Sequence, residues 1–184
     1  MNRMTTVSLT DPFAALGLEP RFDVDTRTIE DKFRERSRVV HPDRFVGAPA
    51  SERAAALIKT RALNDAYQVV RRPQRRAEAL LARAGVTIGD RETLEPAFLM
   101  EILELREELA TARADGDAAA VTRLAAAMQA RQRGLLDGLT PRFAALGTGG
   151  GGDDAAILAA IKRDLITLRY VDRYLDECDA AQGE

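Results

Sequence analysis

Paired signals for the start and the end of helices divide this chain along most of its length. Asp11-Pro12 places a capping carboxylate before a proline at the first helical position, and Gly17 supplies a C-terminal stop. Asp25 begins a second helix, which should end near His41 because the residue before a proline is disfavoured in the α conformation. The later segments are amphipathic at the helical period, with no strand pattern among them. The sequence therefore predicts an all-α protein.

Five further helices are expected after the second. Their predicted ranges are 49–72, 74–84, 94–114, 118–139 and 154–179. In the first of them we place Leu57, Ile58, Leu63 and Val70 on the buried side. The glycine-rich run 147–152 lacks the Gly-Lys-Ser/Thr and the preceding strand of a phosphate-binding loop, so we interpret it as a flexible connector. The last three helices, joined by short links, favour an antiparallel three-helix bundle.

Charge separates the two halves of the chain. The whole sequence has 27 Lys and Arg against 29 Asp and Glu, but residues 1–90 hold 16 basic and 12 acidic side chains whereas residues 91–184 hold 11 and 17. The near-neutral total thus conceals a basic first half and an acidic second half. Together with the polar, glycine-containing stretch before residue 94, this predicts a first domain at 10–84, a linker at 85–93 and a second domain at 94–180.

Several classes of function are excluded by what the sequence contains. A single cysteine, Cys178, cannot form an internal disulfide or a cysteine-rich zinc site, and a single histidine cannot form a two-histidine metal centre. No apolar stretch approaches the roughly 18 residues of a membrane span. We expect a cytoplasmic, non-enzymatic protein with no cofactor or metal, no catalytic residue, and no nucleic acid or membrane partner.

The sharpest local motif is His41-Pro42-Asp43, which follows one helix and precedes a longer one. Proline restrains its own backbone and that of His41, so the two polar side chains project from a stiff corner. Cations surround this corner, which makes the face suited to an acidic protein surface; they are Arg27, Lys32, Arg34, Arg36, Arg38 and Arg44. An ordinary helix-ending turn is one alternative. A general base with its orienting carboxylate is another, although no nucleophile is evident beside it.

Helix 94–114 carries apolar residues on two faces. At 100° per residue, Phe98, Ile102, Leu105 and Leu109 lie within about 60° of one another and form a core stripe. A second strip lies about 100° to 240° away from Phe98; it contains Leu99, Met100, Leu103, Glu104 and Glu107. Helix 154–179 shows the same pattern, with Ile166, Tyr170 and Tyr174 opposite its core stripe. These strips are either packed on the first domain, part of a homodimer contact, or a surface for another protein.

The first half resembles a J-domain. The resemblance is carried by the capped helix at 11–18, by Phe33-Arg34, by the His41-Pro42-Asp43 loop and by Leu63-Asn64-Asp65-Ala66-Tyr67. It implies that the loop and the basic helix before it engage a 70-kDa heat-shock ATPase chaperone of the HscA or DnaK type and promote its ATP hydrolysis. Carried over by position, the implied chaperone-binding residues are His41, Pro42, Asp43, Lys32, Arg34, Arg36 and Arg38.

The whole chain is similar to the HscB family of J-domain co-chaperones of iron–sulfur cluster biogenesis. The similarity is strongest at Arg72-Pro73-Gln74-Arg75-Arg76-Ala77-Glu78-Ala79-Leu80-Leu81 and at 97–109. It implies a second domain that holds the iron–sulfur scaffold protein IscU and delivers it to the chaperone, in support of cluster assembly. The implied scaffold-binding residues are Leu99, Met100, Leu103, Glu104, Glu107, Arg169 and Tyr170. The alternative function is a small helical DNA-binding regulator, because helix-turn-helix units also join basic helices by tight turns.

Overall fold

Caps and prolines set the helix boundaries of the chain, much as expected. The computed structural model describes residues 11–148 and 151–182, and within them it contains seven α-helices and one short 3-10 turn. The helices are α1 (Pro12–Leu16), α2 (Thr26–Val40), α3 (Ala50–Arg71), α4 (Pro73–Arg83), α5 (Pro96–Ala114), α6 (Ala118–Ala145) and α7 (Gly151–Gln182), and the 3-10 turn is Pro42–Phe45. The chain forms two compact units, of which the first ends at Ala84 and the second begins at Gly85.

The first unit is a small helical domain built on α3. The Asp11 carboxylate accepts hydrogen bonds from the backbone N–H groups of Phe13 and Ala14 at 3.0 and 3.5 Å, and Gly17 ends α1 with a φ of 69°. Asp25 caps α2 in the same way by accepting from the Thr28 N–H. The core between α1, α2 and α3 consists of Phe13, Leu16, Ile29, Leu63, Ala66 and Val70.

The predicted buried side of α3 is wrong at two positions. Leu57 and Ile58 are 58% and 65% exposed, whereas Ala56 is buried. At 100° per residue, Ala56, Leu63 and Val70 follow one narrow stripe, and the side chains of Leu57 and Ile58 project well away from it. The hydrophobic character of these two residues, and not their position on the helix, led to the wrong expectation.

The second unit is a three-helix bundle of α5, α6 and α7. Its core contains Phe98, Ile102, Leu109, Val121, Met128, Val171, Tyr174 and Cys178. Polar contacts join the helices around this core. Arg106 donates two hydrogen bonds to the Glu177 carboxylate at 2.7 and 3.1 Å, and Gln132 donates to Asp172 at 2.6 Å.

Helix α6 extends to Ala145, six residues beyond the predicted end at residue 139. Gly134 and Gly138 lower the helix propensity near the predicted end, but Leu139, next to Gly138, is fully buried. Arg142 donates to the Gly138 carbonyl at 3.1 Å and forms an ion pair with Asp164 of α7. Tertiary packing thus overrides the low helix propensity of the segment. Helix α7 also exceeds its predicted range at both ends, while residues 149 and 150 of the predicted connector lie outside the described residues.

The expected outer strip of α7 is largely core. Tyr174 is fully buried and Ile166 is 7% exposed. Only Tyr170 of the three is half-buried, and it packs against the same cluster. Hydrophobicity alone did not distinguish the buried from the exposed face of α7, because both α6 and α5 cover this helix.

Candidate partner-binding surfaces

The His41-Pro42-Asp43 loop projects from the first unit with both polar side chains accessible. The side chains of His41 and Asp43 are 52% and 85% exposed. Within the loop, His41 Nδ1 accepts a hydrogen bond from the Asp43 backbone N–H at 3.3 Å and lies 3.4 Å from Asp43 Oδ2. The imidazole and the carboxylate thus face each other. The loop is therefore a small preorganised polar corner.

A groove of about 460 Å³ runs along α2 beside this corner. It is lined by Phe33, Arg34, Ser37, Arg38, His41 and Arg44. Phe33 forms its apolar floor and stacks on Tyr67 of α3, with ring centroids 4.3 Å apart. The groove thus combines an aromatic floor with cationic walls, a chemistry that fits an acidic protein segment carrying an apolar side chain.

The four cations predicted on α2 do not form one face. Arg34 and Arg38 line the groove, whereas Lys32 and Arg36 do not. Lys32 precedes Arg34 by two residues, so the two side chains project about 200° apart. Lys32 pairs with Glu35 at 2.9 Å, and its hydrogen bond holds the pKa of Glu35 below the ordinary value. The Arg36 guanidinium lies over Gly17, where a side chain would collide with it.

The apolar strip of α5 is exposed in the second unit. Leu99, Met100 and Leu103 are 44%, 58% and 45% exposed, and Glu104 and Glu107 are exposed beside them. The core stripe of the same helix is buried at Phe98, Ile102 and Leu109 and half-buried at Leu105. We call the exposed set of Leu99, Met100 and Leu103 the α5 patch.

Tyr170 lies level with the α5 patch along the bundle. Two contacts fix how α5 and α7 are aligned. Tyr174 contacts Leu105, 69 residues earlier in the sequence, and Glu177 contacts Arg106, 71 residues earlier. In a bundle of three alternating helices, α5 and α7 run in the same direction, so this offset places Tyr170 beside residues 99–101. The Arg173 guanidinium lies over the Tyr170 ring, 5.5 Å from its centroid.

Arg169 has a structural partner of its own. Its guanidinium donates to the Gly89 carbonyl at 3.0 Å, and the Gly89 N–H donates to Glu92 at 2.7 Å. Glu92 also pairs with Lys162 of α7 at 2.9 Å. These contacts hold the segment before α5 against α7, so Arg169 supports the start of α5 in addition to its predicted place around the patch.

An acidic cleft between α5 and α6 was not predicted from the sequence. It encloses about 680 Å³ and continues from Glu104 and Glu107 toward the turn that joins the two helices; its other polar lining residues are Glu108, Thr111, Asp115, Asp117 and Arg123. The density of carboxylates from 104 to 117 could have indicated it. Among residues 11–148 and 151–182, no group of three or more His, Cys, Asp and Glu side chains is placed to hold a metal ion.

Comparison with known proteins identifies the family. A family model described as the HSCB C-terminal oligomerisation domain matches residues 94–179. A co-chaperone protein HscB homolog from Vibrio vulnificus (strain YJ016) is 44% identical over 99 residues, which are 53% of this chain and 58% of that protein's length. A co-chaperone protein HscB homolog from Aeromonas salmonicida (strain A449) is 34% identical over 170 residues, covering 91% of this chain and 93% of the relative. The chain belongs to the HscB family.

Solved HscB structures agree with this assignment. The chaperone HscB from Vibrio cholerae superposes with a TM-score of 0.78 at 29% identity and covers 95% of this chain and 98% of its own. The human co-chaperone protein HscB superposes with a TM-score of 0.80 at 26% identity, and the superposition covers 94% of this chain and 82% of the human chain. The predicted fold class, an N-terminal J-domain followed by a C-terminal three-helix domain, is confirmed. The membership also favours the co-chaperone over the DNA-binding alternative. In the described part of the chain, no helix is both long and apolar enough to cross a membrane.

Proposed function

We propose that this HscB-family protein stimulates ATP hydrolysis by a 70-kDa heat-shock chaperone of the HscA or DnaK type and presents the iron–sulfur scaffold IscU to it. The observation that carries the proposal is that two exposed surfaces of different chemistry lie on two separate compact units. One surface is the cationic groove beside the His41-Pro42-Asp43 loop, and the other is the α5 patch. We place this activity in the cytoplasm and assign the protein no catalytic step.

The chaperone surface is the loop together with the groove. Its corner is rigid because proline restrains the backbone and because the Asp43 N–H is satisfied inside the loop by His41. Arg34, Arg38 and Arg44 give its walls positive charge. Lys32 and Arg36 act at the opposite edge of α2, where they add to the long-range field more than to direct contact.

The scaffold surface is the α5 patch with Tyr170 beside it. Three large apolar side chains exposed in adjacent turns, rimmed by Glu104 and Glu107, have the anatomy of a modest protein interface. The half-buried Tyr170 supplies a rigid aromatic edge, and Arg169 supports the segment that leads into α5.

Turnover of the purified chaperone ATPase tests the first half of the proposal. The full chain should accelerate turnover, and Asp43→Asn should abolish the acceleration because it removes the most exposed charge of the loop. Asp65→Asn removes an exposed carboxylate from α3 of the same unit and serves as the matched control, which should stimulate like the parent. A folded Asp43→Asn protein that stimulates fully would contradict the role of the loop.

Scaffold binding by calorimetry tests the second half. Asp43→Asn should bind IscU as the parent does, since the altered loop and the α5 patch lie on different units. The scaffold should increase chaperone turnover further when the parent is present. Loss of both chaperone stimulation and scaffold binding in the folded variant would refute the division of labour between the units.

A further inference from the structure

The last backbone carbonyls of α2 cannot all find hydrogen-bond donors within the helix. His41 leaves the helix with φ −60° and ψ 130°, and Pro42 follows it without an N–H group. The last carbonyls of α2 therefore lack the donors that a continuing helix would supply. Val40 packs against the core of the first unit, and the environment of its carbonyl is partly buried, so water is a poorer substitute partner there.

Thr60 of α3 supplies the missing donor to this carbonyl. Its hydroxyl donates to the Val40 carbonyl at 3.0 Å, in a partly buried position twenty residues away in sequence. Thr60 follows the inward stripe of α3, between the buried Ala56 and Leu63. A β-branched apolar residue would fill this position equally well, so the hydroxyl is needed for the bond and not for packing.

Arg44 makes a second contact of the same kind from the other end of the loop. Its guanidinium donates to the Arg38 carbonyl at 3.2 Å, and its backbone N–H donates to the His41 carbonyl at 3.1 Å. Two side chains that follow the His41-Pro42-Asp43 tripeptide in sequence thus reach back to the last turn of α2. The last turn of α2, which leads into the loop, is therefore held by hydrogen bonds from both Thr60 and Arg44.

We propose that Thr60 is a positioning residue for the His41-Pro42-Asp43 loop. Its hydrogen bond fixes the last turn of α2, and through Val40 it fixes the direction in which His41 and Asp43 project. Thr60 is half-buried and acts through Val40 without touching the partner. The consequence for the chaperone rests on the function proposed above, whereas the consequence for the loop does not.

Hydrogen exchange in the full chain, without any partner, tests the positioning directly. Thr60→Val keeps the shape and removes the donor, and Thr60→Ser keeps the donor. Thr122→Val is the matched control, because the Thr122 hydroxyl donates at 2.9 Å to the Ala118 carbonyl of its own helix in the other unit. We expect the Arg44 amide to exchange about fivefold faster or more in Thr60→Val, and at the parent rate in Thr60→Ser and Thr122→Val.

Chaperone ATPase turnover then measures how the loosened loop affects stimulation. At a temperature below the onset of unfolding, the initial slope of stimulation against concentration should fall about threefold or more in Thr60→Val, because a loosened loop must be ordered on binding. Thr60→Ser, which keeps the hydroxyl donor, should show the same initial slope as the parent. A lower melting temperature with unchanged Arg44 exchange would overturn the proposal, since it would show a purely structural role. If the parent itself does not stimulate the chaperone, the proposed function fails while the exchange result still decides the role of Thr60.

Discussion

The Tyr174 hydroxyl donates a hydrogen bond to the backbone carbonyl of Leu105, 3.0 Å away on the facing helix. This contact joins α7 to α5 at the level just below the α5 patch. The Tyr174 ring is fully buried, and burial raises the pKa of its phenol well above the ordinary value. The hydroxyl therefore stays neutral and remains a donor throughout the pH range in which the protein would work.

Tyr174→Phe should lower the free energy of unfolding by about 1 kcal/mol, because it removes one buried hydrogen bond without leaving a cavity. Urea denaturation followed by circular dichroism measures this change. Tyr170→Phe, on the same helix and half-buried, is the matched control and should change stability by less than about 0.5 kcal/mol. Equal losses in the two variants would contradict a special role for the Tyr174 hydroxyl.

Arg76→Leu should destabilise the first unit strongly. Arg76 is only 6% exposed, and one of its guanidinium nitrogens donates to the Phe22 and Val24 carbonyls at 2.8 and 2.7 Å. Burial lowers the pKa of this guanidinium, and the two carbonyls and the Phe22 ring, whose centroid lies 5.5 Å from the guanidinium carbon, offset part of its desolvation. Loss of the donor leaves both carbonyls without this partner, at a cost of at least about 2 kcal/mol.

Thermal melting of Arg76→Leu beside Arg75→Leu measures that cost. Arg75 precedes Arg76 on α4 and is exposed, so its replacement should be nearly neutral, within about 0.5 kcal/mol. Similar melting temperatures for the two variants would show that the buried guanidinium contributes little to stability.

The α5 patch should be separable from the core by mutation. Leu99→Ala combined with Leu103→Ala should weaken scaffold binding about tenfold or more while the melting temperature changes little, because both side chains are nearly half exposed. Ile102→Ala, in the same turns but 1% exposed, should instead cost roughly 2–5 kcal/mol of stability. A comparable loss of stability in the double variant would identify the patch as core. Tyr170 is left out of this test because its packing on the core would mix the two effects.

Asp172→Asn should flatten the pH dependence of stability in mildly acidic solution. Burial raises the pKa of Asp172, although the hydrogen bond from Gln132 opposes the shift. Between the ordinary carboxyl pKa and this raised value, the folded protein binds more protons than the unfolded chain, so this group's contribution to stability falls as pH rises. Asn mimics the protonated carboxyl and still accepts from Gln132.

Melting temperatures of Asp172→Asn measured from pH 4 to pH 7 give the comparison. The variant should be at least as stable as the parent at pH 7, and the difference should shrink toward pH 4. Asp179→Asn removes an exposed carboxylate from the same helix and should leave the profile unchanged in shape. A parent that is more stable than Asp172→Asn at pH 7 would show that the charged form is favoured in the fold.

Much of the secondary structure of the first unit could be predicted because the signals that start and end its helices are local. The caps at Asp11 and Asp25 and the stop at Gly17 act within one helical turn, so no neighbouring element is needed to interpret them. Angular spacing alone placed a second apolar strip on α5 away from its core stripe, but it did not show whether that strip is covered. By contrast, nothing in the sequence around Thr60 indicates that its hydroxyl bonds a carbonyl twenty residues away.

Helix order, the starts of α1, α2 and α6, and the His41-Pro42-Asp43 corner were determined by the sequence itself, because capping and proline restraint operate over a few residues. The tertiary structure decided which apolar faces are covered. It buried Tyr174 and Ile166, exposed Leu57 and Ile58, and carried α6 past Pro141 to Ala145. The physical reason is that hydrophobicity shows that a face can be buried, while only a neighbouring helix at contact distance removes it from water.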